Sequence, residues 1–218
     1  MGCEKLTIRR YPVPLSEVRR EIVVVNSRFI TTLTPVFSVE QARSFIQRIR
    51  TEFPDASHHV PAFLVGFGDS QIAHCSDAGE PSGTAGRPAL AVLQGSGLGD
   101  VAVVITRYFG GTKLGTGGLV QAYSDAVREV LQNVRRGECV PTHTVMVEVP
   151  YALLERLRRL VTACQGMILD EDFTVSVVAT LRFPQERLAE FKAALRELTN
   201  GRAQVELIES GEVILPLP

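Results

Sequence analysis

The chain has no tryptophan, and aromatic residues fill only 6% of its 218 positions. Aliphatic side chains must therefore supply its core. It has no run of about 18 uncharged apolar residues, which argues against a membrane-spanning helix. The scattered charges of Met1–Pro14 surround no apolar stretch, so no signal peptide is expected. Cys3, Cys75, Cys139 and Cys164 form no CxxC pair. That excludes a zinc ribbon or a thioredoxin motif, and reduced thiols in the cytoplasm are the simplest expectation. A strong charge of either sign is also missing. The formal net charge is −1, split as +2 over residues 1–138 and −3 over residues 139–218. A high-affinity binder of duplex DNA would carry a large positive excess. The familiar phosphate loops are absent too. Lys113 is followed by Leu114 rather than Ser or Thr, and Gly95-x-Gly97 and Gly115-x-Gly117 lead to Asp100 and Val120. Neither a Walker nor a Rossmann loop is present. No cofactor and no metal are expected.

What is there is an ordinary globular composition, 45% hydrophobic and 22% charged. Residues 1–19 are polar, hold Pro12 and Pro14, and read as a poorly ordered or surface-laid extension. Two strands are expected within Glu21–Thr34, meeting near Asn26-Ser27. Ser38 with Gln41 forms a capping box, so a helix should run from Val39 to Phe53 and stop at Pro54. His59–Phe67 and Gln71–Ser76 read as strands, with Pro61 suggesting an edge or a strand start. A short helix over Arg87–Gln94, a buried strand over Val101–Thr106 and a helix over 117–133 follow. Arg135–Glu138 reads as a linker. The tail spells strand (Thr142–Val149), helix (Tyr151–Cys164), strand (Gly166–Leu169), strand (Thr174–Phe183), helix after Pro184, and strand (Gln204–Ile208). Asp170-Glu171-Asp172 is placed in the turn between the middle strands. The order β-α-β-β-α-β is that of a ferredoxin-like unit. The expected division is an extension (1–19), a first domain (20–136), a ferredoxin-like domain (139–210) and a tail (211–218).

Eleven of the 18 glycines lie between Gly79 and Gly118, eight of them in two runs that flank the strand Val101–Thr106. One run is Ser76–Pro88, the other Arg107–Leu119. Glycines permit close backbone approach, and successive amides in such turns can cradle an anion at a helix N-terminus. Gly83, Thr84, Gly86, Gly110, Gly111, Gly115 and Gly117 are the candidate cradle, with Arg28, Arg87, Arg107 and Lys113 as cations. The alternative is that the glycines serve tight turns and helix–sheet packing. Tyr108, beside Phe109, either stacks an RNA base or covers the core. His58, His59, Asp77 and Glu80 are candidate ligand-orienting residues. No catalytic residue is assigned, because adjacent letters such as His74-Cys75-Ser76-Asp77 point to alternating faces of a strand.

These segments resemble the YigZ/IMPACT family. The matching pieces are Ser27-Arg28-Phe29-Ile30, Ala56-Ser57-His58-His59, Gly79–Gly86 with Pro88, Arg107–Gly111 with Leu114-Gly115, and Gly117–Val120 with Ala122-Tyr123. The resemblance implies an α+β protein of two domains. The first would be similar to a ribosomal-protein domain and to domain IV of elongation factor G, with a left-handed βαβ crossover. The second would be ferredoxin-like, similar to domain V of that factor. Eukaryotic members regulate translation through an additional N-terminal domain that this chain is not expected to hold. Ala78 departs from the family, which commonly has Asp there. The resulting expectation is a non-enzymatic cytoplasmic protein that binds RNA or a ribosome-associated partner and regulates translation. An enzyme acting on a phosphorylated small molecule in the same turns, and a protein-interaction module using the ferredoxin-like sheet, are the alternatives.

Overall fold

The computed structural model describes residues 10–216. The chain divides into two compact units, Tyr11–Glu138 and Cys139–Ile214.

The first unit contains β1 (Tyr11–Pro14), β2 (Val18–Val24), β3 (Ser27–Pro35), α1 (Val39–Glu52), β4 (His58–Val65), β5 (Ile72–Cys75), α2 (Gly86–Gly95), β6 (Val101–Tyr108) and α3 (Gly115–Gln132). Its sheet has the order β2-β3-β6-β4-β5. Both β3 and β4 pair antiparallel with β6, so they run parallel to each other and α1 crosses between them. The alternation of β6 feeds two cores. Val101, Val103 and Ile105 pack with Phe29, Leu33 and Val60 beneath α2 and α3. Ala102 and Val104 pack with Phe63 beneath Ala42, Phe45 and Ile49 of α1. A strand covered on both faces reads as a continuous apolar run, which is why β6 has no polar alternation. Helix α1 starts as its capping box dictates, with Ser38 Oγ accepting from the Gln41 amide at 3.1 Å. Gln41 Oε1 reaches back to the Phe37 amide at 2.7 Å.

Three local expectations for residues 1–138 differ from what is found. Residues 11–14 are not loose: Val13 is fully buried and Tyr11 stacks on Phe67 at 5.0 Å. The Tyr11 hydroxyl donates to Asp100, and Asp100 accepts the Gly66 amide at 2.7 Å. These partners are distant in sequence, so local polarity could not reveal them. Residues 1–9 lie outside the described residues. Pro61 sits in an interior strand, not at an edge. Its carbonyl accepts from the Ser76 amide, so its missing N–H also faces the β5 side, just past the end of the ladder that pairs Ala62 with Cys75. Arg136 already begins a strand, where a linker was expected.

The second unit holds β7 (Arg136–Val149), α4 (Leu154–Ala163), β8 (Met167–Phe173), β9 (Val177–Pro184), α5 (Leu188–Leu198) and β10 (Val205–Pro216). β9 lies between β7 and β8, and β10 pairs on the other side of β7. The resulting order β10-β7-β9-β8 is that of the ferredoxin-like fold. Val145, Val147 and Val149 face Leu157, Val161, Phe191 and Leu195 of the two helices. Asp170, Glu171 and Asp172 lie within β8 rather than in a turn. Glu171 is held there by a two-pronged contact from Arg158 at 3.0 and 2.6 Å, which outweighs the poor strand propensity of acidic residues. Among the described residues, no helix is long and apolar enough to cross a membrane.

Candidate functional site

The two glycine runs meet at one end of the first unit. There β6 finishes, β3 and β4 begin, and the loops into α2 and α3 start.

The first run folds around Asp77. Its carboxylate accepts the amides of Gly83 (2.8 Å), Ala85 (3.1 Å) and Gly86 (2.8 Å). Burial pushes the Asp77 carboxyl up, but those amides and Arg87 outweigh burial and hold it below the ordinary aspartate value. The Thr84 hydroxyl donates to the Pro81 carbonyl at 2.6 Å. The chain thus places its own anion at the N-terminus of α2. Gly83 and Gly86 give their amides to that carboxylate and Thr84 is turned onto Pro81, so the turn is a filled helix cap, not an open cradle for phosphate.

The cations do not converge either. In register, Phe29, Arg107 and His58 form one row across β3, β6 and β4, and Arg28 and Tyr108 form the next. Successive residues of a strand face opposite sides, so the two rows point apart. Arg107 turns under α2 and α3. Its guanidinium bonds the Glu80 carboxylate at 2.5 Å, and Glu80 also accepts from the Tyr123 hydroxyl at 2.7 Å. Burial first, then the hydrogen bond to Glu80 and the Glu80 charge, raise the Tyr123 phenol far above its usual value. Arg107 is therefore an internal ion-pair partner, contrary to its expected role as a phosphate contact. Arg28 lies on the α1 side, exposed, with both prongs on Glu21 at 2.8 and 3.0 Å. It also covers the Tyr108 ring at 5.5 Å, while the Tyr108 hydroxyl donates to Asp55 at 2.9 Å. The two histidines part in the same way. His58 Nδ1 donates to the Ala78 carbonyl at 3.0 Å, and its Nε2 lies 3.9 Å from Glu80. His59 Nδ1 meets the Thr106 hydroxyl at 3.2 Å on the other side, and burial lowers its pKa.

The second run is different. Gly110 lies so close to the β2–β3 turn that a Cβ there would fall 2.1 Å from the Asn26 carbonyl carbon. Its amide donates to Ser27 Oγ at 3.2 Å, and the Phe109 amide donates to Ser57 Oγ at 3.1 Å. Beyond this clamp, Gly111, Thr112, Lys113, Gly115, Thr116 and Gly117 are all exposed. Helix α3 begins with no side-chain cap. Lys113 has no ion pair among the described residues. A helix start with free amides and a neighbouring lysine favours an anion.

Sequence reasoning missed Ser27, Ser57 and Tyr123. All three sit in the segments that carry the family resemblance. Tyr123 reads as one more core position of α3.

A model of the Impact N-terminal domain matches residues 25–131, and a model of a Domain of unknown function (DUF1949) matches residues 147–202. The chain is 38% identical over 198 residues to "IMPACT family member YigZ" of Escherichia coli (strain K12), covering 90% of this chain and 97% of that one. It is 38% identical over 203 residues to an "IMPACT family member" of Haemophilus influenzae, covering 93% and 98% of the two chains. A solved structure described as "Crystal structure of an hypothetical protein" shares 38% identity at a TM-score of 0.66, over 92% of this chain and 98% of that one.

Proposed function

The chain belongs to the IMPACT family, and on that premise we propose that it is a non-enzymatic cytoplasmic protein that regulates translation by holding RNA at the start of α3. The observation that carries this reading is the uncapped N-terminus of α3, with Lys113 exposed before it and without an ion pair among the described residues. The α2 end contributes only Arg87, exposed in its first turn, because Asp77 already fills that cradle. Two cations and one helix end give weak, salt-sensitive binding, in keeping with a first unit that is nearly neutral overall.

The test is filter binding to RNA across a salt series. Lys113→Ala is expected to weaken binding uniformly and reduce the slope of log K against log salt by about one. Arg28→Ala, on the opposite face and paired with Glu21, is expected to change neither. Identical, salt-flat binding by the wild type and Lys113→Ala would end the proposal.

A second reading places a phosphorylated small molecule at the same end, with His58 moving a proton. It is favoured by the position of His58, whose side chain is about a quarter exposed and whose Nε2 lies 3.9 Å from the buried Glu80. Strong thermal stabilisation by a phosphorylated metabolite at micromolar concentration would select it.

A further inference from the structure

Phe109 is 50% exposed, an unusual state for a phenylalanine held so firmly. Its amide is tied to Ser57, and the next residue is pinned to Ser27 and pressed against the backbone of Asn26. Its ring is supported by the Arg107 guanidinium, whose centre lies 5.7 Å from the ring centroid. Arg107 cannot swing away, because Glu80 holds it and its guanidinium centre also lies 5.4 Å from the Phe29 ring. Its Nε is buried and has no partner. The protein thus builds a fixed aromatic plate, backed by a cation, four residues before Lys113. Tyr108 cannot serve this purpose, since its hydroxyl and ring are engaged by Asp55 and Arg28 on the other face. Tyr151 and Phe173, an exposed aromatic pair of the second unit, adjoin the acidic Asp170 and Asp172 of β8, which repel phosphate.

Resting on the RNA reading above, we infer that the ligand is single-stranded RNA, one unpaired base of which stacks on Phe109 while Lys113 and the first amides of α3 hold an adjacent phosphate. A duplex keeps its base faces stacked on one another and has none to offer the plate. A single strand offers one at every nucleotide, with little sequence preference.

Because the chain has no tryptophan, Phe109→Trp installs a single indole at the plate. A mixed-sequence RNA 12-mer is expected to quench it, and the same 12-mer annealed to its complement is not. Phe109→Ala and Phe109→Leu are both expected to weaken single-strand binding by about 5- to 100-fold. Duplex binding and the salt slope should stay as in the wild type, and thermal midpoints confirm folding. If both variants bind single strands like the wild type while Lys113→Ala weakens them, the stacking proposal is wrong and the RNA reading stands. If the wild type shows no salt-dependent RNA binding, both fall.

Discussion

The Arg107 guanidinium lies 2.5 Å from the Glu80 carboxylate, and the two side chains are only 6% and 4% exposed. A charge pair this buried gains little over an apolar pair, but losing one partner strands the other charge in the interior. Glu80→Ala is therefore expected to cost about 3–5 kcal/mol, read from the urea midpoint at constant slope. The Glu80→Leu/Arg107→Met double variant should be more stable than either single variant. Tyr123→Phe should cost about 1.5–3 kcal/mol, the range for a hydrogen bond to a charged group. A cost below 1 kcal/mol for Glu80→Ala would mean that water reaches the pair.

Asp77 gives a pH signature. Its folded pKa lies below the ordinary value of 3.8, because the amides of Gly83, Gly86 and Ala85 and the charge of Arg87 outweigh the opposing effect of burial. A depressed carboxyl contributes stability above its unfolded pKa and loses it as pH falls through the folded one. Asp77→Ala should cost about 1–2 kcal/mol at neutral pH, as a lost helix cap does. The gap from the wild type should hold down to about pH 4 and narrow below it. A gap that stays constant to pH 2.5 would contradict the ionised cap.

Much of this fold can be read locally. Ser38 and Gln41 announce the start of α1, and the unbroken apolar run of β6 announces a strand covered on both faces. The element order of the tail is enough for its ferredoxin-like arrangement. What could not be read is register. Arg28 and Arg107 both precede an aromatic residue in segments that carry the family resemblance, yet pairing Phe29 with Arg107 sends the arginines to opposite faces. Whether a glycine cradle is empty or filled likewise depends on where one aspartate folds back. Asp77 reaches the Gly86 amide nine residues on, and no sequence period encodes that.

Ala78 adopts φ +48°, a left-handed conformation that costs alanine roughly 1 kcal/mol. Its carbonyl anchors His58 Nδ1, so the conformation is fixed by a contact as well as by the turn. Ala78→Gly and Ala78→Asn should each raise stability by about 0.5–1 kcal/mol, and Ala78→Val should lower it. Thermal unfolding of the three variants checks the order, and destabilisation by glycine would refute the strain.

The glycines of the second run should separate into those the fold requires and those it tolerates. At Gly110 a Cβ would meet the Asn26 carbonyl carbon at 2.1 Å, and both partners are backbone, so neither can rotate aside. Gly110→Ala must push the β2–β3 turn from the end of β6 and weaken the Ser27 contact that fixes the loop. A loss of about 3 kcal/mol or more is expected, within the range of overpacking plus a lost hydrogen bond. Gly117 has open space around its Cβ position and an ordinary helical φ. Gly117→Ala should therefore stabilise α3 by up to about 1 kcal/mol, through helix propensity alone. It also leaves the amides at the helix start in place, so RNA binding should survive. Equal melting temperatures for the two variants would show that the second run is not clamped at Gly110, and the fixed position claimed for Phe109 would fail with it.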